Sequence, residues 1–491
     1  MCQGSNTDPI KPFIRDGVGI ERVTGAAARA GAVKFDLEIL PAGTLFELRL
    51  ELHSEDADDE QLLAAGLMEW QRGRSWLGGR VARGLGAFTL ESVQHISHNL
   101  NDSTQIMNFL RADDLTVGSS SADSWSEKRV NEIRAKRNDT HRSQMAVTRG
   151  WVALEGVLQA DGPLLTNDAI HAGMSGFDHA PLLVQLGDWQ HPLLTGAGLR
   201  GVIRSHAERI ARTIATYQAQ HREHFLQICP ACDPNARRPH RAAEMALLPA
   251  LESCDSLLLH SAMKSTNERI DPDYLCLACR LFGSSWLGSR LLVEDAPYAG
   301  KERPIYKILD FLAVDRFTGG GSEGLKFDAL ALWQPTFTMR LHLHNPEQWE
   351  LGWLALVLRD LSEGWLAVGY GTAKGLGRVR LQNWTLRTGY LTEQDRASLL
   401  PNSILSDSGL LATLPAAKAE GVYDVITVHA STPAAYWPTV AQGWVDAFRR
   451  KLTSADPQQH FKRPDKMHLS NDDYFRPVAT TSIEQLCTLE H

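Results

Sequence analysis

Four cysteines in two short pairs, "CPAC" (Cys229, Cys232) and "CLAC" (Cys276, Cys279), are the clearest chemistry-bearing residues in this chain of 491. Each pair sets two thiolates one turn apart, and two pairs make a tetrahedral sulfur set suited to zinc. The 43 residues between the pairs exceed the span of a small zinc ribbon, so the stretch at about 225–282 must fold back as an insertion. Cys254, His240 and His260 fall inside it and are alternative ligands. A closed four-thiolate site leaves no coordination position for substrate, so the zinc expected here is structural. A disulfide or redox pair is the competing reading, disfavoured in a reducing compartment.

A second candidate is the long stretch "LLTNDAIHAGMSGFDHAPLLVQLGDWQHPLLTG" (164–196). Loops of this length inside a compact unit are often functional. It offers two carboxylates, Asp168 and Asp178, and three histidines, His171, His179 and His191. Carboxylates can hold a magnesium ion, and histidine moves protons near neutral pH. Asp168 could equally cap a turn.

The third set is basic. "HPLLTGAGLRGVIR" (191–204) opens a helix, and the free N–H groups around Gly196–Leu199 favour a phosphate there. Arg200 and Arg204, one turn apart, would extend that site along a nucleic-acid backbone; the alternative is an ordinary solvated basic face. Lys374 and Arg378 flank "GLG" in "GYGTAKGLGRV", and Arg80 and Arg83 precede "GLG" in an earlier twin at Gly84–Gly86.

Composition limits the setting. The net charge of −8 means that any nucleic-acid surface is a local basic face on an acidic body. The absence of a long apolar run or a signal-peptide core leads to the expectation of a cytoplasmic protein with no membrane partner.

The elements that must position these groups repeat along the chain. "ERVTGAAARAGAVKFD" (21–36) parallels "DRFTGGGSEGLKFD" (315–328), matching Arg22 with Arg316 and Lys34-Phe35-Asp36 with Lys326-Phe327-Asp328. "LGGRVARGLGAFTL" (77–90) parallels "VGYGTAKGLGRVRL" (368–381), with a helical pattern ahead of each, at 58–73 and 346–364. Asn345-Pro346 with Gln348 reads as the start and capping box of the later helix. Each copy therefore reads hairpin, strand, helix, glycine-rich loop, strand. The second is preceded by a strand (150–159) and a helix (194–218), giving an α+β, ferredoxin-like (RRM-like) plan. The first lacks that opening half, which leaves its completion to another chain or to a longer fusion.

The expected organisation is a partial module at 1–99, a connector at 100–148, a complete module at 149–390 and an extension at 391–491. The connector is Ser-rich and densely charged, with room for one short exposed helix. In the extension, "YDVITVHA" suggests a strand and "TVAQGWVDAFRRKL" an amphipathic helix.

In order and spacing, "HPLLTGAGLRGVIR", "CRLFGSSWLGSRLLVEDA", "DRFTGGGSEGLKFD" and "GYGTAKGLGRV" together resemble the RAMP superfamily, specifically the backbone subunits of type III CRISPR effector complexes. The likeness covers about 148–390 as one module and about 12–95 as a half-module, similar to the tandem subunits of type III-D and III-E systems. The resemblance implies a guide CRISPR RNA, a complementary target RNA and other effector subunits as partners. It makes the two glycine-rich hairpins thumbs laid across the guide–target duplex, carrying Arg22, Lys34, Arg316 and Lys326. It also implies that Asp178 acts in magnesium-dependent cleavage of target RNA, with His179 assisting and Asp168 as competitor. A purely architectural subunit, a nuclease that processes the guide precursor and a zinc-stabilised adaptor are the alternatives.

Overall fold

The computed structural model describes residues 12–20, 34–111, 119–137, 150–186, 189–220, 225, 228–232, 253–255, 272–405, 415–432 and 436–453. Arg22, His240, His260 and the segment 454–491 lie outside these residues.

The chain opens with a hairpin of β1 (Phe13–Val18) and β2 (Lys34–Ile39), followed by helix α1 (Ala57–Gln71). Helices α2 (Ser103–Arg111) and α3 (Asp123–Lys136) come next. The expected connector is thus more than linker. Helix α3 packs along α1, where Arg129 pairs with Glu60, and its end is tied down by Arg134 and Arg137, which both hold the Asp424 carboxylate.

The main body begins at β3 (Gly150–Ala160) and β4 (Pro163–Leu164). Then come α4 (Ala169–Ser175), β5 (Leu183–Leu186), β6 (Trp189–Leu194) and the long helix α5 (Gly196–Gln218). After the cysteine region, α6 (Leu277–Phe282) leads to β7 (Leu291–Val293). A second hairpin, β8 (Tyr306–Val314) and β9 (Gly321–Trp333), precedes β10 (Thr336–His344), α7 (Gln348–Glu363) and β11 (Val379–Tyr390).

Strand β3 is central in an antiparallel sheet ordered β11-β3-β10-β7, paired on both edges, and it is apolar at nearly every position because most of its side chains are buried on the sheet's faces. The order strand, helix, strand, strand, helix, strand runs through β3, α5, β7, β10, α7 and β11. Helix α7 starts two residues later than Asn345-Pro346 suggests. Its cap is Glu347, whose N–H donates to Glu350 at 2.9 Å, while Asn345 takes a left-handed φ of 44°.

The sheet continues past residue 390. Helix α8 (Glu393–Leu399) leads to β12 (Lys418–Glu420) and β13 (Tyr423–His429), which extend the sheet beyond β11. Helix α9 (Tyr436–Thr453) lies along α7, with Phe448 stacked on Trp353 at 5.2 Å. The strand and helix expected in the extension are therefore present, and they belong to the core of the main body.

The repeat is legible down to hydrogen bonds. In the first hairpin Asp16, Gly17 and Val18 face Asp36, Phe35 and Lys34; in the second Asp310, Phe311 and Leu312 face Asp328, Phe327 and Lys326. Lys34 pairs with Asp16 at 3.5 Å, as Lys326 does with Asp310 at 3.2 Å. Both glycine-rich loops wrap a single turn, Val81–Arg83 and Thr372–Lys374, between left-handed residues. They close with the same bond, Leu77 N–H to Gly86 O and Val368 N–H to Gly377 O, each at 2.8 Å. A Cβ at Gly86 or Gly377 would lie 1.9 or 2.0 Å from that partner's carbonyl oxygen, so "GLG" cannot carry a side chain there.

Candidate metal centre and nucleic-acid interface

Helix α5 ends against the cysteine region, and four sulfurs meet there. Cys232, Cys254, Cys276 and Cys279 are buried, with Sγ atoms all within 4.8 Å of one another. The Cys232 and Cys279 sulfurs lie 3.6 Å apart. A tetrahedral zinc with Zn–S bonds of about 2.3 Å needs sulfurs about 3.8 Å apart, so the donor set fits. All four thiols are free.

Cys254 takes the place expected for Cys229, whose thiol points instead at Ala231 O, 3.5 Å away. Backbone N–H groups of Cys276 and Cys279 point at the Cys254 and Cys276 sulfurs at 3.3 and 3.4 Å. Contacts from neighbouring sulfurs, together with burial, push the Cys254 and Cys279 thiols well above the ordinary cysteine range. Four thiolates this close would need a cation among them, and these four sulfurs could hold a metal such as zinc.

Two arginines of α5 serve this centre. Arg204 is buried, bonds Glu208 at 2.8 Å and Gly283 O at 3.0 Å, and reaches Cys279 Sγ at 3.6 Å. Arg212 reaches Cys232 O at 2.9 Å. Arg200 donates to Phe282 O. Arg200 and Arg204 therefore do not continue a phosphate track. Their guanidinium groups face inward because α5 lays that face on α6 and the thiolate cluster.

The start of α5 is also taken. Asp295 Oδ1 accepts from Gly196 N–H at 2.8 Å, and Thr195 Oγ1 accepts from Gly198 N–H at 3.1 Å. Burial raises the Asp295 carboxyl, opposed by Arg15, which pairs with it at 2.8 Å. The expected anion site at Gly196 is thus filled by the protein's own carboxylate. It is also covered. The first glycine-rich loop rests on it, and a Cβ at Gly84 would lie 2.4 Å from Asp295 Oδ1 and 3.0 Å from Gly196 Cα.

Three segments distant in sequence meet at the base of the second hairpin. From the stretch between β4 and β5, Asp178 and His179 run beside β9. Asp178 N–H donates to Asp328 Oδ1 and Asp328 N–H donates to Asp178 Oδ2, both at 2.9 Å. His179 Nδ1 lies 2.9 Å from Asn167 Oδ1 and Nε2 3.2 Å from the Tyr370 hydroxyl. Burial holds the His179 imidazole below its usual range; Lys374 lowers it further and Asp178 opposes the shift.

Beneath them Phe311 stacks on Phe327 at 4.9 Å, and Lys374 Nζ lies over Phe327, 4.1 Å from its centroid. Arg80 lies over Phe35 in the same sense at 4.6 Å. The other carboxylate oxygens, Asp178 Oδ1 and Asp328 Oδ2, make no hydrogen bond among the described residues.

Asp328 is a member of this group that the sequence expectation missed, although "KFD" is one of the repeated phrases. Asp168 does not join it. It caps α4 by accepting from Ile170 and His171 N–H at 3.0 and 3.1 Å.

The other basic residues are spread along the exposed surface. Arg316 and a fully exposed Phe317 sit at the hairpin tip, where Asp315 Oδ1 accepts from Phe317 and Thr318 N–H at 2.8 and 2.9 Å. Lys326 is exposed along β9, and Arg378 is exposed but donates to Gly364 O at 2.9 Å. Arg83 is lowered, chiefly by burial and then by Arg80 and Arg204 beside it. No helix among the described residues is long and apolar enough to cross a membrane.

No curated protein matches the chain. The family model of the RAMP superfamily matches residues 159–380, from the end of β3 to the start of β11, a span that includes both the cysteine cluster and the hairpin base. The match spans somewhat under half of the chain, and this region is similar to the RAMP superfamily.

Proposed function

We propose that the chain is a guide-RNA-binding backbone subunit of a type III CRISPR effector, built from one complete and one partial ferredoxin-like module, which cleaves target RNA at one site. The observation that carries the reading is the convergence of Asp178, Asp328, His179 and Lys374 at the root of an exposed hairpin. The hairpin is the thumb, with Phe317 and Arg316 at its tip meeting the duplex. Lys374 and Lys326 supply positive charge beside its stem.

At the root, Asp178 and Asp328 would hold Mg²⁺, which would supply charge stabilisation at the scissile phosphate. The 2′-hydroxyl of the adjoining nucleotide attacks phosphorus, and the 5′-oxygen leaves. His179, whose imidazole burial holds below its usual range, would accept the hydroxyl proton at Nε2 once Tyr370 turns away. Zinc at Cys232, Cys254, Cys276 and Cys279 fixes the end of α5 and takes no part in the chemistry.

The reciprocal bonds between Asp178 and Asp328 also favour a second reading, in which the pair only fastens the hairpin and the subunit is architectural. A guide-processing nuclease gains less support, because His179 is engaged by Asn167 and Tyr370 rather than by a second histidine. The deciding experiment assembles the effector with guide and labelled complementary RNA and adds Mg²⁺. Loss of one cut with Asp178→Ala, with target binding retained, supports the nuclease; unchanged cutting rejects it.

A further inference from the structure

Residues 44–53, "TLFELRLELH", repeat the pattern of β10, "TFTMRLHLH". Phe46, Leu48, Arg49, Leu50, Leu52 and His53 correspond to Phe337, Met339, Arg340, Leu341, Leu343 and His344. Their surroundings differ completely. Strand β10 pairs with β3 on one edge and β7 on the other, and its apolar side chains are at most 6% exposed. In the first copy the extended segment has no strand partner among the described residues. Phe46, Leu48, Leu50 and Leu52 are 65, 48, 49 and 45% exposed. An alternating apolar stretch without a strand partner exposes its side chains to water, and an added strand would pair its backbone and help cover them.

The second copy also states what the missing neighbour should carry. Arg340 pairs across the sheet with Glu155 of β3 at 3.0 Å. Arg49 has only Glu51 of its own segment, also at 3.0 Å. A second copy of this chain cannot supply that neighbour from β3, because Gly150–Ala160 is already paired on both edges.

We infer that residues 45–53 are a docking strand for an extended segment of a partner polypeptide, which pairs with them as β3 pairs with β10. The partner's strand alternates apolar residues and sets a carboxylate opposite Arg49, as Glu155 stands opposite Arg340. The inference goes beyond the RNA-binding reading.

The test uses the full chain and a synthetic peptide of the β3 sequence, residues 150–160, as probe. Backbone amides of 45–53 should exchange freely in the chain alone and become protected, saturably, by the peptide. Leu50→Lys, at an exposed position, should abolish binding while leaving RNA affinity unchanged, so that the two readings fail separately. A Glu155→Lys peptide should bind about 5-fold more weakly, and Arg49→Glu in the chain should restore it. Amides already protected in the isolated chain would overturn the inference. So would a lack of saturable binding, indifference to Leu50→Lys, or self-association that Leu50→Lys abolishes.

Discussion

Asp178 and Asp328 lie 150 residues apart, and each accepts the other's backbone N–H at 2.9 Å. The bridge fixes the loop before β5 to the stem of the hairpin and leaves one oxygen of each carboxylate uncommitted. Asp178→Ala and Asp328→Ala are each expected to slow target cleavage by about 100-fold or more. Single-turnover assays on guide-bound complexes measure this. Asp168→Ala should leave the rate unchanged and cost only the stability of a helix cap, about 1 kcal/mol.

Zinc content separates the ligands from their neighbour. One zinc per chain is expected in the wild type and in Cys229→Ser. Cys254→Ser should lower both zinc content and melting temperature. Elemental analysis beside thermal melting reads both, and a full zinc complement in Cys254→Ser would remove that residue from the site.

The arginines divide by function. Arg204→Ala leaves Glu208 buried without its main partner and should cost about 3 kcal/mol or more of stability. RNA affinity should change little. Lys374→Ala should do the opposite, weakening RNA binding and reducing the slope of log affinity against log salt by about 1. Denaturant unfolding and binding titrations at several salt concentrations distinguish the two.

Glu350 gives the chain a pH signature. Burial pushes its carboxyl up to about 7 from 4.5, although Arg290 opposes the shift. The folded state therefore keeps a proton that the unfolded state has lost. The resulting stabilisation is complete below pH 4.5 and disappears as pH rises through about 7. Its size is roughly 3 kcal/mol. Relative to Glu350→Gln, the wild type should lose stability across this window; parallel pH profiles of the two would refute the assignment.

The sequence shows most clearly what local geometry constrains. Gly86 and Gly377 stand out because no side chain fits against Leu77 O or Val368 O, and the register of both hairpins follows from "KFD". Long-range partners leave weaker traces. Cys254 has no second cysteine two or three positions away, so spacing favours Cys229, yet only the folded insertion brings Cys254 to the cluster. Arg200 and Arg204 read as a solvent-facing basic stripe because the surface that buries them, α6, comes some 75 residues later. The Asp295 carboxylate that occupies the start of α5 is likewise invisible without the fold.

Gly84 carries a last consequence. With Asp295 Oδ1 and Gly196 Cα within 3 Å of where its Cβ would stand, the first loop is seated against the second module with no slack. Arg15 of the first hairpin pairs with the same Asp295, so the loop and that hairpin share one anchor on the main body, and under the proposed function that anchor would set the interval between the two hairpins. On the RNA-binding reading proposed above, a side chain at this point would change the step length along the strand before it changed the grip.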